Sequence, residues 1–551
     1  MSQDKLFEKK KTGPVSCLGM TFESDEARRK YFTEKLREKI KDPDFKKIEG
    51  FPIAQDEDIL ALSDPPYYTA CPNPWISDFI KEWQTEKAQV SGKDGGGEAP
   101  PYDRKPFAAD VSEGKNDPIY NAHTYHTKVP HKAIMRYILH YTEPGDIVFD
   151  GFCGTGMTGV AAQLCGDRST VESLGYKVQN DGIILQEEFD ENEKSVWKRF
   201  SKLGARKAIL NDLSPAASFI AYNYNTPVDV MEFQKEGSRI LKEVEAECGW
   251  MYETSDPHTG AKGKINYTVW SDVFVCPDCT KEVVFWKAAV DKEAGTVNEQ
   301  FPCPNCGALL TKRRMDRAWA TKFDEVVSQT IRQAKQVPVL INFSISNKRY
   351  EKEPDAQDLA LIDKIEKSDI PYWFPTNEIP HGDKTGEPLR LGITHVHHFY
   401  SKRNLWVLAA LFAKSGESEL ANLRGKNRFL FQPSVLGMSH LNRYSPRHFS
   451  QNNRQLNGTL YVGSQLSEVS PYYAFTGRFK RLVSLLRDDK IDRRTLVTSM
   501  ATSSSNTVPP NVNDYIFTDP PFGGNLMYSE LNFLWESWLK IVTNNEREAI
   551  E

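Results

Sequence analysis

The sequence predicts an α/β fold built on a doubly wound parallel sheet, interrupted by a cysteine-rich ribbon and a mixed α+β insert. Residues 147–159 read I-V-F-D-G-F-C-G-T-G-M-T-G, a short apolar strand that turns through glycines into a helix. A second buried strand, A-I-L-N-D, ends in Asn211 and Asp212. Two C-P-x-C pairs, at Cys276 and Cys303, lie farther along the chain and predict a small metal-stabilised unit.

Composition limits the classes of protein that the chain can represent. Its 551 residues are too many for one hydrophobic core, so several units are expected. A net charge of -5 provides no overall basic surface, and any contact with nucleic acid must come from local patches. Because the sequence shows neither a long apolar run nor a signal-peptide core, we expect a cytoplasmic protein without a membrane segment.

Changes in composition divide the chain into six regions. We expect a charged helical arm with a solvated face over 1–50, an N-terminal D-P-P-Y segment and flexible linker over 51–118, the first part of the sheet domain over 119–240, a zinc ribbon over 265–316, an insert over 320–505, and the last part of the sheet domain over 506–551.

The glycine turn after the first strand can hold a ligand against bare backbone amides, with Asp150 beside it. Taken alone, it fits S-adenosylmethionine (SAM), a dinucleotide or a tight structural turn. Its spacing departs from G-x-G-x-x-G, and no phosphate-binding G-x-x-x-x-G-K-[ST] lies near it, which disfavours dinucleotides and nucleoside triphosphates. Asp212 ends the second strand, where a ribose diol is commonly held, although an insert of about 40 residues precedes that strand.

Two turns of the form D-P-P-aromatic carry further chemistry. They are Asp64-Pro65-Pro66-Tyr67 and Asp519-Pro520-Pro521-Phe522, each between an apolar segment and a helix. The prolines stiffen the turn, the carboxylate is an acceptor, and the ring offers a stacking face. A carboxylate and a proline carbonyl can together accept both hydrogens of an exocyclic amine, which favours attack by its nitrogen on a sulfonium methyl group.

The four cysteines Cys276, Cys279, Cys303 and Cys306 form two pairs separated by 23 residues. This pattern is typical of tetrahedral zinc, and four thiolates leave no open position, so the site is expected to be structural. Disulfides are the disfavoured alternative for a cytoplasmic chain.

Two polar segments of the insert allow alternative interpretations. Arg443, Tyr444, Arg447 and Arg454 lie among asparagines and glutamines, which suits either a DNA-reading loop or an ordinary polar loop. His395, His397 and His398 are expected to be surface or core residues rather than metal ligands, because no acid or cysteine cluster stands near them in sequence.

Together these motifs resemble the amino-methylating DNA methyltransferases. The resemblance is carried by D-x-F-x-G-x-G-x-T, the preceding H-x-K-x-P, the acid after the second strand and D-P-P-F. The four-cysteine ribbon, F-Y-S-K-R-N-L, N-G-T-L-Y and D-P-P-F-G-G-N-L-M-Y-S-E-L are further similar to a zinc-ribbon branch of adenine-specific DNA methylases.

The resemblance implies a SAM-dependent, Rossmann-like methyltransferase core, a structural Zn²⁺ ion, and the insert as target-recognition region. It places SAM beside Lys128, Pro130, Asp150, Phe152, Gly154, Gly156, Thr158 and Asp212. Asp519, Pro520, Pro521 and Phe522 form the favoured catalytic turn, with the Asp64 turn as the alternative.

The implied reaction is methylation of N6 of a flipped adenine in double-stranded DNA. N4-cytosine or RNA methylation, and a non-catalytic DNA-binding or scaffold role in a defence system, remain alternatives. Restriction or phage-defence proteins are the partners that such a role implies. Because the chain ends soon after the second turn, we expect an N-terminal portion of a longer protein.

Overall fold

The computed structural model describes residues 13–91, 104–418, 420–448, 450–487, 491–492, 495–504, 512–521, 524 and 526–548. Phe522 of the favoured catalytic turn therefore lies outside the described residues.

The N-terminal region is a packed unit. Its elements are β1 (Val15–Cys17), β2 (Met20–Phe22), α1 (Asp25–Ile40), α2 (Pro43–Lys46), β3 (Ile53–Ala54), α3 (Asp56–Leu62), β4 (Tyr68–Thr69) and α4 (Ile76–Ser91). The expected helix is present as α1, which begins after Ser24, whose hydroxyl accepts a hydrogen bond from the Ala27 amide. It is not a solvated arm, because Phe32, Leu36 and even Arg28 are buried.

The middle of the sheet domain follows. Its elements are α5 (Pro118–Asn121), α6 (His131–Tyr141), β5 (Ile147–Asp150), α7 (Met157–Leu164), α8 (Arg168–Glu172), β6 (Lys177–Val178), β7 (Ile183–Phe189), β8 (Ser195–Lys202), β9 (Lys207–Asp212), α9 (Pro215–Tyr224) and α10 (Val230–Cys248). The polar insert before β9 is the antiparallel sheet β6-β7-β8.

The cysteine-rich part and the insert contain β10 (Glu253–Ser255), β11 (Lys262–Val275), β12 (Glu282–Val284), α11 (Phe285–Ala289), β13 (Val290–Asp291), β14 (Thr296–Val297), β15 (Phe301–Pro302), β16 (Leu309–Leu310), β17 (Asp316–Arg317), β18 (Trp319–Asp324), β19 (Gln329–Ala334), β20 (Gln336–Ile345), β21 (Lys348–Lys352), α12 (Ala356–Glu366), α13 (Gly386–Arg390), α14 (Lys402–Ser415), α15 (Ala421–Gly437), β22 (Gln465–Val469) and α16 (Pro471–Arg487). The long strand β11 pairs with β10, β12, β17, β20 and β22, so it is the main strand of this region.

The chain then returns to the sheet domain through β23 (Thr495–Ser499), β24 (Tyr515–Ile516), α17 (Tyr528–Leu539) and β25 (Ile541–Val542). The sheet order is β24-β5-β9-β23-β4, and all four pairings are parallel. This confirms the predicted α/β fold. The 320–505 boundary is corrected, because β23 belongs to the central sheet rather than to the insert.

The sheet order creates a switch point beside β5. The chain proceeds from β5 to β9 and β23 on one side, whereas β24 pairs with the other side of β5. Ligands of open parallel sheets bind at the carboxyl ends of the strands at such a point, because the connections diverge there and leave a crevice. The glycine turn after β5 and Asp519, which follows β24, both lie at this crevice.

Candidate active site

The glycine turn after β5 has the backbone conformation that its residues require. Gly154 and Gly156 have positive φ values of 49° and 74°. A Cβ atom at Gly156 would lie 2.6 Å from that of Ala221 on α9, so the helix packs against a bare backbone. The turn is held by Asp150, which accepts hydrogen bonds from the Phe152 amide at 3.1 Å and the Thr158 hydroxyl at 2.5 Å.

Asp212 joins the end of β9 to the same turn. Its carboxylate accepts hydrogen bonds from the amide of Gly154 and from that of Ser214, both at 2.9 Å. Burial raises the pKa of Asp150 to about 7 and that of Asp212 to about 6. Partial desolvation also raises the pKa of Asp519. A ligand that carries positive charge and hydroxyl groups would compensate for this desolvation.

These groups surround one pocket that encloses about 940 Å³, part of it open to solvent. Of the residues expected to bind the cofactor, Lys128, Asp150, Phe152, Gly154, Thr158 and Asp212 line it. Pro130 instead precedes the first turn of α6, and Gly156 packs against α9. The Lys128 ammonium donates to the backbone carbonyls of Tyr120 and His123, so it organises the loop before α6.

Asp519 and Pro521 line this same pocket. The short strand β24 aligns Tyr515 with Val148 and Ile516 with Phe149 of β5, which carries the chain to the edge where Asp150 lies. The Phe517 amide extends the pairing by donating to the Phe149 carbonyl at 3.0 Å.

An aromatic wall that sequence reasoning missed completes the pocket. The Tyr125 ring stacks on Trp535 with centroids 5.9 Å apart, and Tyr528 lies nearly parallel to it at 6.3 Å. The Tyr528 hydroxyl is 2.6 Å from that of Thr127. Tyr125 lies one residue before the recognised H-x-K-x-P motif, and Tyr528 begins the Y-S-E-L motif. Arg547 and Glu548 near the end of the chain also line the pocket.

The Asp64 turn lies elsewhere. It precedes β4, which is separated from β24 by β23, β9 and β5, or by roughly 19 Å at the usual strand spacing. Asp64 is 3% exposed and accepts hydrogen bonds from Arg28 at 3.0 Å and Arg29 at 2.7 Å, as well as from the Tyr222 hydroxyl. Two buried guanidinium groups therefore occupy this carboxylate, and it does not line the pocket.

The four cysteines converge as expected. The Sγ atoms of Cys276 and Cys306 are 3.9 Å apart, and those of Cys279 and Cys303 are 3.8 Å apart. All four lie within 4.8 Å of one another. A disulfide requires about 2.05 Å between sulfurs, whereas a tetrahedron with metal–sulfur bonds of about 2.3 Å has edges of about 3.8 Å. The donor set and its spacing therefore fit a tetrahedral zinc ion.

The predicted DNA-reading arginines lie outside the pocket. Arg443 donates to the Arg454 backbone carbonyl at 3.3 Å, Tyr444 packs against Trp286, and Arg447 is exposed beside the turn between β13 and β14. The loop thus contacts the cysteine-rich part of the chain.

The expectation that no acid stands near the histidines is wrong. His397 and His398 are buried, but an acid does face them: Asp324 Oδ2 is 2.9 Å from His397 Nε2 and 2.6 Å from His398 Nε2. The Thr394 amide donates to His398 Nδ1 at 3.3 Å, which leaves the His398 proton on Nε2 to be donated to Asp324. The cluster is thus a hydrogen-bonded anchor between β18 and the segment before α14.

In the described part of the chain, no helix is both long and apolar enough to span a membrane.

Comparison with known proteins adds one finding. A family model described as DNA methylase matches residues 7–209, which include the Asp64 turn and the glycine turn but end before Asp519. Neither the curated proteins nor the solved structures contain a match. With its parallel sheet and glycine turn, this part of the chain is therefore similar to DNA methylases.

Proposed function

We propose that the protein transfers a methyl group from SAM to N6 of adenine in DNA, with Asp519-Pro520-Pro521-Phe522 as the catalytic turn. The observation that carries this proposal is that Asp519 and the glycine turn line one pocket at the switch point of the sheet. The other D-P-P turn is on the far edge, with its carboxylate bound by two arginines.

The pocket residues suit the cofactor. SAM supplies an electrophilic methyl group on a sulfonium ion. Asp150 and Asp212 are carboxyl groups whose pKa values are raised by burial, and no ion pair joins them to the described residues around the pocket. A ligand with a sulfonium, an ammonium and a ribose diol would give these two carboxyl groups favourable interactions in place of the hydration that they lose on burial. The amide-rich turn at Gly154 would lie against the ligand.

Asp519 and Pro520 would act on the target amine. The lone pair of an exocyclic amine is delocalised into the base, which makes the nitrogen a poor nucleophile. The Asp519 carboxylate and the Pro520 carbonyl would accept its two hydrogens and direct the lone pair towards the methyl group. After transfer, the nitrogen carries an extra proton, which Asp519 is placed to accept. Phe522 would stack on the flipped base.

Adenine is proposed rather than cytosine because aspartate, and not serine, precedes the two prolines. The four cysteines are proposed to hold a structural zinc ion, which would stabilise a small unit whose own core contains few residues. This structural role does not require the zinc ion to take part in the reaction.

The test is methyl transfer from tritiated SAM to unmethylated DNA, followed by mass spectrometry of the released nucleosides. N6-methyladenine is the expected product, whereas N4-methylcytosine would overturn the base assignment. Asp519→Asn should abolish transfer while SAM still binds by calorimetry. The catalytic assignment fails if this variant stays active, and SAM binding without transfer by the wild type would favour a scaffold role.

A further inference from the structure

The hairpin β18–β19 presents a face on which five side chains are exposed. In the described part of the chain its two strands pair only with each other. The register places Thr321 opposite Arg332 and Phe323 opposite Thr330, with Trp319 farther along the same face. All five side chains are exposed, Phe323 by 62%. The Arg332 guanidinium lies 4.7 Å from the centre of the Trp319 ring, so a cation and an aromatic surface are presented together.

The hairpin is anchored to the protein by Asp324 and Ile331 of its opposite face and by the backbone of β19, while Ala320, Lys322 and Gln329 of that face stay exposed. Asp324 is bound by His397 and His398, and Ile331 is buried. The Ala334 amide donates to the Leu391 carbonyl at 3.0 Å. A Cβ atom at Gly392 would lie 2.0 Å from the Arg332 carbonyl oxygen, so the strand is seated directly on a bare glycine. These contacts hold the exposed face in a fixed orientation.

A short path of contacts connects this hairpin to the mouth of the pocket. Gly392 lies just after α13, and α13 follows a loop whose amides at Asp383, Lys384 and Thr385 donate to the Glu530 carboxylate. Glu530 lies in the first turn of α17, two residues after Tyr528 of the pocket wall. One five-residue helix therefore separates the hairpin from the site.

We propose that the exposed face of β18–β19 contacts the DNA duplex beside the base being methylated, an inference that rests on the proposed function. A two-stranded ribbon fits the major groove, which is about 12 Å wide. Arg332 can bind phosphate or guanine, and the aromatic rings can contact base edges or thymine methyl groups.

Charge supports DNA as the occupant rather than a protein. The five exposed side chains include no carboxylate, and the nearby acids Asp316 and Glu325 lie at the base and in the turn of the hairpin. The segment just before the hairpin is the basic run Lys312–Arg314, in which Arg314 pairs with Asp278 at 2.9 Å. An acid-free face that carries the Arg332 guanidinium is complementary to the phosphate backbone.

The experiment compares two double variants of the full chain. Phe323→Ala/Arg332→Ala removes the ring and the cation from the proposed face. Phe189→Ala/Arg199→Ala is the matched control, because both residues are exposed on the β7–β8 hairpin, where Glu187 and Glu188 disfavour DNA. We measure Kd for an unmethylated duplex by fluorescence anisotropy at several salt concentrations, SAM binding by calorimetry, and methyl transfer.

The proposed-face variant should bind duplex at least about tenfold more weakly, with the slope of log K against log salt reduced by about one. Its SAM affinity should be unchanged, and the control should match the wild type. Equal DNA affinity of both variants and the wild type would overturn this inference alone. A wild type that neither binds nor methylates DNA would overturn the proposed function as well.

A second measurement uses the wild type only. Hydrogen–deuterium exchange should slow for amides in 319–334 when duplex is added. Unchanged exchange there, with slowed exchange elsewhere, would place the duplex on another surface and refute the proposal.

Discussion

Replacing Asp64 by asparagine should destabilise the protein, because this carboxylate balances two buried cations. Arg28 and Arg29 are 1% and 6% exposed, and both donate to the same Asp64 oxygen. The amide is nearly the same size as the carboxylate, so the variant removes charge without creating a cavity. Asp25 and Glu26 also pair with these arginines but are more exposed than Asp64, which is the buried partner. Loss of one partner from a buried ion pair costs about 3–5 kcal/mol.

This cost predicts a clear change in thermal stability. At about 2–4 °C per kcal/mol for a domain of this size, the melting temperature of the sheet domain should fall by about 6–20 °C. Differential scanning fluorimetry measures it, with Asp519→Asn as the isosteric control. Asp519 has no ion pair to the described residues and is partly exposed, so its variant should melt within about 1 °C of the wild type.

The two variants should also differ in activity. At a temperature where both are folded, Asp64→Asn should still transfer methyl groups, whereas Asp519→Asn should not. The reasoning is refuted if Asp64→Asn melts like the wild type, or if it is fully folded and inactive while Asp519→Asn turns over normally.

Three further predictions concern the pocket and the cysteines. Gly156→Ala should lower stability by about 2–4 kcal/mol in chemical denaturation, because the added methyl group meets Ala221 in a left-handed backbone region. It should also weaken SAM binding, because the clash displaces the turn that carries Gly154; a variant that binds SAM normally would contradict this. SAM affinity should rise with pH through about 6 to 7, which are the pKa values of Asp212 and Asp150. The reason is that a cationic ligand prefers the ionised carboxylates, so that binding releases protons. Titration calorimetry across this range should show no such trend in an Asp150→Asn/Asp212→Asn variant. Cys276→Ser should remove one zinc per chain by metal analysis and expose residues 276–310 to proteolysis, and unchanged metal content would refute the four-cysteine site.

Local motifs could be identified from the sequence because their chemistry is contained in neighbouring residues. The glycine turn, Asp150 and the C-P-x-C pairs have spacings set by backbone geometry. In the structure Asp150 lies at the glycine turn, and the four cysteines converge on one another at a separate place. The parallel α/β fold could be predicted for the same reason, since a buried strand followed by a glycine turn and a helix is a local pattern.

Other features depend on contacts between distant segments. Asp324 meets His397 and His398 across more than 70 residues, and no periodicity indicates that pairing. The choice between the two D-P-P turns also depends on such contacts, because their sequences are nearly equivalent. Their surroundings differ because β4 is the edge strand on the opposite side of the sheet from β24, and because α1 brings Arg28 and Arg29 to Asp64.

By itself, the sequence determined the family resemblance, the glycine turn, the cysteine cluster and the presence of two chemically competent turns. Only the tertiary structure decided which turn faces the pocket, added the Tyr125 and Tyr528 wall, and anchored the β18–β19 hairpin. The physical reason is that burial and charge balance are properties of the packed chain. A carboxylate is available for chemistry where no arginine reaches it, and the sheet order determines which side chains come within reach.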